Sequence, residues 1–203
     1  GTQTQRTSPV QTSSLSTASS LAGGSTHSFG VLGGGALYGW GGNTVGQVGN
    51  GSTASAVTSP TQITTIGTAT AAHGGSLFTL AVKSDGTVWS WGNNSQGMLG
   101  DGTTTAHSTP AQISGLSSML GVSGGASHSL AVTTDGTVLV WGDNTYGQLG
   151  DGTLDQRRTP ISISDSGFNW KTSTPRLSPG TGTYTDITNV TVTAVTPGAE
   201  IHY

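Results

Sequence analysis

Five histidines are the side chains in this sequence best suited to do chemistry: His27, His73, His107, His128 and His202. Imidazole titrates near neutral pH and is a common zinc ligand. His27 and His128 open the related segments HSFGVL and HSLAV, and Phe78 opens FTLAV between them. A recurrent position that accepts Phe reads as a packing site, here a half-buried imidazole with its hydrogen bond satisfied. His73 is different, because its counterparts are Ala22 and Ser123. Small residues at that position point to a crowded inner strand near an axis. In a symmetric assembly, copies of His73 from different chains would approach one another and hold Zn²⁺ or another divalent metal. His107, expected in a surface turn, and His202, near the C-terminus, are weaker candidate ligands. A metal held there would activate water for hydrolysis of phosphate or carboxylate esters. The competing reading is a plain surface or channel histidine, since no HExxH or similar close-spaced ligand set is present.

The other chemical candidates have simpler explanations. Asp85, Asp101, Asp135 and Asp151 all sit in Asp-Gly pairs, and turn formation accounts for them. There is no GxSxG elbow for a nucleophilic serine and no GK[ST] to complete a phosphate loop. No catalytic residue is assigned. Charged residues make up 7% of the chain, the net charge is −3, and only Arg157 and Arg158 are adjacent cations. A nucleic-acid partner is not expected without a basic footprint. No apolar run reaches the ~20 residues of a membrane helix, so no membrane partner is expected. Cys is absent, so no disulfide framework holds the chain.

The elements that must position these residues come from an internal repeat. WGGNTVGQVGNGS from Trp40, WGNNSQGMLGDGT from Trp91 and WGDNTYGQLGDGT from Trp141 align directly. A Pro follows each, at Pro60, Pro110 and Pro160, and Pro9 stands at the same distance from Gly1 as Pro110 from Gly102. The copies run over residues 1–50, 51–101 and 102–151, with a part copy at 152–163. The three tryptophans read as blade packing. Each copy reads as four short strands, exemplified by TQI near residue 62, ATAAH ending at His73, FTLAV from Phe78 and TVWSW from Thr87. SDG at 84–86 is a hairpin signal between two of them. The 34 Gly suit tight turns, and no helix-period segment is evident.

Four strands per repeat describe a propeller blade. The pattern GG-x-x-HSLAV-x-x-DGTV-x-x-WG-x-N-x-x-GQLGDGT resembles the regulator of chromosome condensation repeat over residues 1 to about 163. The resemblance implies a seven-bladed β-propeller and roles that vary from nucleotide exchange on a small GTPase to ubiquitin-ligase modules and secreted bacterial proteins. After a linker at 164–174, residues 175–203 change character. They resemble the start of the chitobiase C-terminal-type β-sandwich domain found in secreted bacterial enzymes and surface proteins.

The expected fold is therefore all-β, a partial propeller of about three four-stranded blades. Three blades leave apolar faces and strand edges open, so completion to a ring by self-association is expected, with a dimer favoured. The expected function is a binding or scaffold module of a secreted or surface bacterial protein, holding a protein or glycan partner with loops at one propeller face. The alternative is a metal-dependent hydrolase with its His-liganded metal at the oligomer axis or interface.

Overall fold

Short apolar stretches bounded by Gly-rich turns pair locally, and the computed structural model shows the result. It describes residues 4–12, 15–163, 176–178 and 191–193. The chain divides into two units, Gly1–Ile163 and Ser164–Tyr203. Among its described residues the first is all-β apart from one 3₁₀ turn, Thr64–Ile66. Blade 1 is the antiparallel sheet β1 (Ala18–Gly23), β2 (His27–Leu32), β3 (Leu37–Gly42) and β4 (Ala56–Gln62). Blade 2 is β5 (Ala69–Gly74), β6 (Phe78–Lys83), β7 (Val88–Gly92) and β8 (His107–Gln112). Blade 3 is β9 (Met119–Gly124), β10 (His128–Thr133), β11 (Val138–Gly142) and β12 (Arg157–Ser162). In the second unit β13 (Arg176–Ser178) pairs antiparallel with β14 (Thr191–Thr193). The linker at 164–174 and most of the tail, including the AEIHY segment and His202, lie outside the described residues.

The blades are out of phase with the sequence copies. The fourth strand of each sheet comes from the start of the next copy, so the part copy at 152–163 supplies β12 and completes blade 3. A repeat has a period but no intrinsic starting point, and hydrogen-bond pairing sets the phase. Every pairing of third with fourth strand carries a register shift beside the recurrent Trp, between Gly39 and Gly41, Ser90 and Gly92, and Val140 and Gly142. Gly41, Gly92 and Gly142 have φ of 106°, 102° and 103° there, a region that favours glycine.

The core lies between blades rather than inside them. Phe29, Val31, Leu37 and Val48 of blade 1 pack against Ala72, Ala81 and Trp91 of blade 2. Leu80, Val82, Val88 and Leu99 of blade 2 pack against Ala131 and Trp141 of blade 3 in the same way. Burying such a side chain fully is worth about 1.5–3 kcal/mol. Each blade thus stabilises its neighbour's face more than its own.

Candidate functional site

In each blade the turn from first to second strand and the long loop from third to fourth strand emerge at the same end of the sheet. That end carries the loops 43–55, 93–106 and 143–156. An asparagine organises each one. Asn43, Asn94 and Asn144 are wholly buried. Their Nδ2 donates to the carbonyls of Ser52, Thr103 and Thr153 at 2.9, 3.2 and 2.9 Å. Their Oδ1 accepts from the amides of Val48, Leu99 and Leu149 at 2.9, 3.0 and 3.0 Å. These side chains replace the ladder bonds the loops lack, so the loops are rigid presenters. Sequence reasoning left the asparagines without a role; their signal was recurrence three residues after each Trp.

The loops also lock adjacent blades. The Gln47 carbonyl accepts from Thr79 Oγ1 at 2.8 Å and from Trp91 Nε1 at 2.9 Å. The Met98 carbonyl accepts from Ser129 Oγ and Trp141 Nε1, both at 2.8 Å. The tryptophans at positions 91 and 141 therefore pack and bond at once.

His27 takes part in the first lock. The Thr79 hydroxyl gives its proton to Gln47, so His27 Nε2 must donate to Thr79 Oγ1, 3.0 Å away. His27 is 2% exposed and its Nδ1 has no hydrogen-bond partner. This corrects the expectation of a half-buried, fully satisfied imidazole. Burial lowers its pKa from 6.5 to about 4, with the Phe78 backbone opposing. His128, at the same repeat position, is half-buried, and desolvation lowers its pKa against the attraction of Asp143.

The three candidate metal ligands are placed as follows. His73 lies on β5, an inner strand, beside the glycine pairs where the three blades meet. A Cβ on Gly74 would stand 2.6 Å from the Gly24 Cα, and one on Gly124 would stand 3.1 Å from the Gly75 amide. His73 Nδ1 accepts from the Gly124 amide at 3.0 Å, a bond between blades 2 and 3. An open cavity of about 480 Å³ adjoins it, lined by Gly24, His73, Gly75 and Gly125. His107 opens β8 rather than sitting in a turn, and its Nε2 meets Asp101 Oδ2 at 2.8 Å. His202 lies outside the described residues. Among the described residues no group of three or more His, Cys, Asp or Glu stands close enough to hold a metal. No helix among them is long and apolar enough to cross a membrane.

The loop aspartates have firm structural duties. Burial alone would raise the Asp101 carboxyl, but bonds from Thr103, His107 and Asn94 hold it below the usual range. Asp151 faces the same opposition and is held down to about 2 by Thr153 and by Arg157, whose Nη2 lies 2.6 Å from Oδ2.

The third loop adds something its siblings lack. Tyr146 is 90% exposed and Leu154 is 68% exposed. Their counterparts in blade 2 are Gln96 and Thr104, both exposed although blade 3 follows them. The site at Tyr146 and Leu154 is thus an open apolar tip on a rigid loop.

Inner strands abutting at paired glycines, with four-stranded sheets radiating outward, define a β-propeller of open form. The chain belongs to the regulator of chromosome condensation (RCC1) repeat family, whose repeat matches residues 34–82, 85–132 and 135–176. A second description of the same repeat matches residues 70–97 and 121–148. Among solved structures, human WBSCR16 is similar at 25% identity and a TM-score of 0.65, over 72% of this chain and 39% of that one. Yeast RCC1 (Prp20) bound to Kap60 is similar at 23% identity and a TM-score of 0.65, over 72% and 37%. Prp20p from Saccharomyces cerevisiae, described with its binding properties to Gsp1p and histones, matches at 23%, 0.65, 72% and 38%. The chain therefore spans about two-fifths of the length of these structures.

Proposed function

We propose that this chain is a protein-binding scaffold whose loop-bearing end holds its partner, and whose open ring is completed by self-association. One observation carries the binding part: the exposed Tyr146 and Leu154 on a loop pinned by a wholly buried asparagine. An aromatic with few rotatable bonds on a rigid support loses little entropy on docking, which is the profile of an interface anchor. The binding described for Prp20, with Kap60, Gsp1p and histones, supports the class of partner.

The experiment places a photo-crosslinking phenylalanine analogue at position 146, and separately at position 84 on the opposite end, in extract of the source cells. A discrete protein adduct at position 146, lost with Leu154→Ser and absent at position 84, is expected. No adduct, or the same adduct from both ends, would refute the reading. A secreted or surface setting, bacterial by the tail's resemblance to the chitobiase-type sandwich, belongs to the same proposal. Immunoblotting of secreted and cell fractions checks it. The hydrolase alternative gains no supporting contact among the described residues.

A further inference from the structure

Between blades 2 and 3, along their outer boundary, lies a socket of about 340 Å³. Leu116, Leu139 and Pro160 form its apolar side, and Asp101, Gln112 and Ser114 its polar side. Both walls belong to described residues, so the socket is a feature of the interface itself.

The repeat shows what the same place holds one interface earlier. Leu139 corresponds to Trp89, Gly115 to Thr65, Leu116 to Ile66 and Pro160 to Pro110. Trp89 packs against the cluster that includes Ile63 and Ile66. Its Nε1 donates to Thr87 Oγ1 at 3.1 Å, and the Lys83 ammonium lies 5.3 Å from the ring centroid. Pro110 is buried there, whereas Pro160 is only partly buried. The backbone frame is the same in both interfaces, with Trp89 paired to Ala81 as Leu139 is to Ala131. Between blades 2 and 3, however, a leucine replaces the large ring and a glycine replaces the threonine. A Cβ on Gly115 would meet nothing within 4 Å.

We propose that this socket binds a neutral indole ring, taking from outside the group that Trp89 supplies from within. The size agrees: an apolar cavity of about 150 Å³ holds benzene, and small-molecule pockets begin near about 300 Å³. The polar side supplies acceptors for the ring N–H. Asp101 also sets the charge of the ligand. Against the effect of burial, bonds from Thr103, His107 and Asn94 keep its carboxyl ionised. No Lys or Arg stands among the lining residues, so an indole carrying a carboxylate is disfavoured. The site goes beyond the scaffold reading, since it is separate from the tip at Tyr146 and Leu154.

Fluorine NMR of fluoroindole and of N-acetyl-fluorotryptophanamide, each titrated with the 203-residue chain, tests this. Wild type is expected to broaden the fluoroindole line saturably, at one equivalent per chain. Unlabelled indole should restore the sharp line, and indoleacetate should compete at least tenfold less well. Binding of the amide as well assigns the socket to a tryptophan side chain within a polypeptide. Binding of fluoroindole alone assigns it to a free small molecule. Leu139→Trp fills the socket from within and is expected to weaken binding at least tenfold, with the far-ultraviolet circular dichroism unchanged. The double variant Trp89→Leu, Thr65→Gly transplants the socket to blades 1 and 2 and is expected to bind a second equivalent. No saturable broadening by wild type, equal competition by indoleacetate, or full affinity in a folded Leu139→Trp would overturn the inference. Should Leu139→Trp lose its fold, a single equivalent in the double variant overturns it instead. Crosslinking at position 146 has no part in these outcomes, so the two readings fail separately.

Discussion

His27→Phe should remove most of the protein's sensitivity to mild acid without lowering its stability at neutral pH. The imidazole is 2% exposed, and burial lowers its pKa from 6.5 to about 4. The unfolded chain accepts the proton with ordinary affinity and the folded chain resists it. The unfolded state therefore binds more protons as pH falls from 6.5 towards 4, and stability drops through that window. Below about 4 both states are protonated and this loss stops growing. The difference between the two values corresponds to about 3 kcal/mol, a large share of a typical domain's stability. Phe is the natural replacement, since blade 2 already carries Phe78 at this position. Phe78 lies under Gly75 as His27 lies under Gly24, each ring within 2.0–2.2 Å of where a glycine Cβ would be. Opposite Phe78, Ser129 Oγ keeps its bond to the Met98 carbonyl with no imidazole present, so Thr79 should keep its bond to Gln47 in the variant. Urea titrations followed by tryptophan fluorescence at several pH values between 7 and 4 measure the effect. Wild type should lose about 3 kcal/mol more than the variant over that range. Equal pH slopes for the two proteins would refute the reasoning and shift the acid response to His128.

Three further outcomes follow from the loop and blade contacts. Asn94→Ala should cost about 2–3 kcal/mol in urea unfolding, because it leaves the buried Leu99 amide and the Thr103 carbonyl without partners. Trp141→Phe should cost about 1–3 kcal/mol by removing the bond to the Met98 carbonyl and part of the packing between blades 2 and 3, read as a lower thermal midpoint. Asp151 contributes stability that is present above pH 3.8 and lost as pH falls towards about 2, so Asp151→Asn should flatten the unfolding curve in that lower window while leaving the slope between pH 6.5 and 4 intact.

Much of the architecture could be read from residues alone. FTLAV, ATAAH and TVWSW sit on β6, β5 and β7 with one-residue differences at their ends, and SDG turns between β6 and β7. The phase of the blades could not be read, since a periodic pattern is the same wherever counting begins. The burial of His27 was missed for a related reason. The repeat shows that the position accepts Phe, yet only the neighbouring blade reveals how completely it is covered. His107 was expected in a surface turn, while its pairing with Gly92 makes it the first residue of an outer strand. Tyr146 and Leu154 carried a readable signal, as large side chains where the second copy has Gln96 and Thr104 and the first has Val45 and Thr53.

The interblade locks end on main-chain carbonyls, and this sets how the molecule can change. Gln47 and Met98 accept the same two bonds although their side chains have nothing in common. The socket is written in backbone, so it does not distinguish one neighbour from another. A blade duplicated, deleted or transplanted from a sister copy meets a fitting seat without matched substitutions. The length of such an array can drift faster than its sequence, while loop tips such as Tyr146 diversify independently on a frame that tolerates rearrangement.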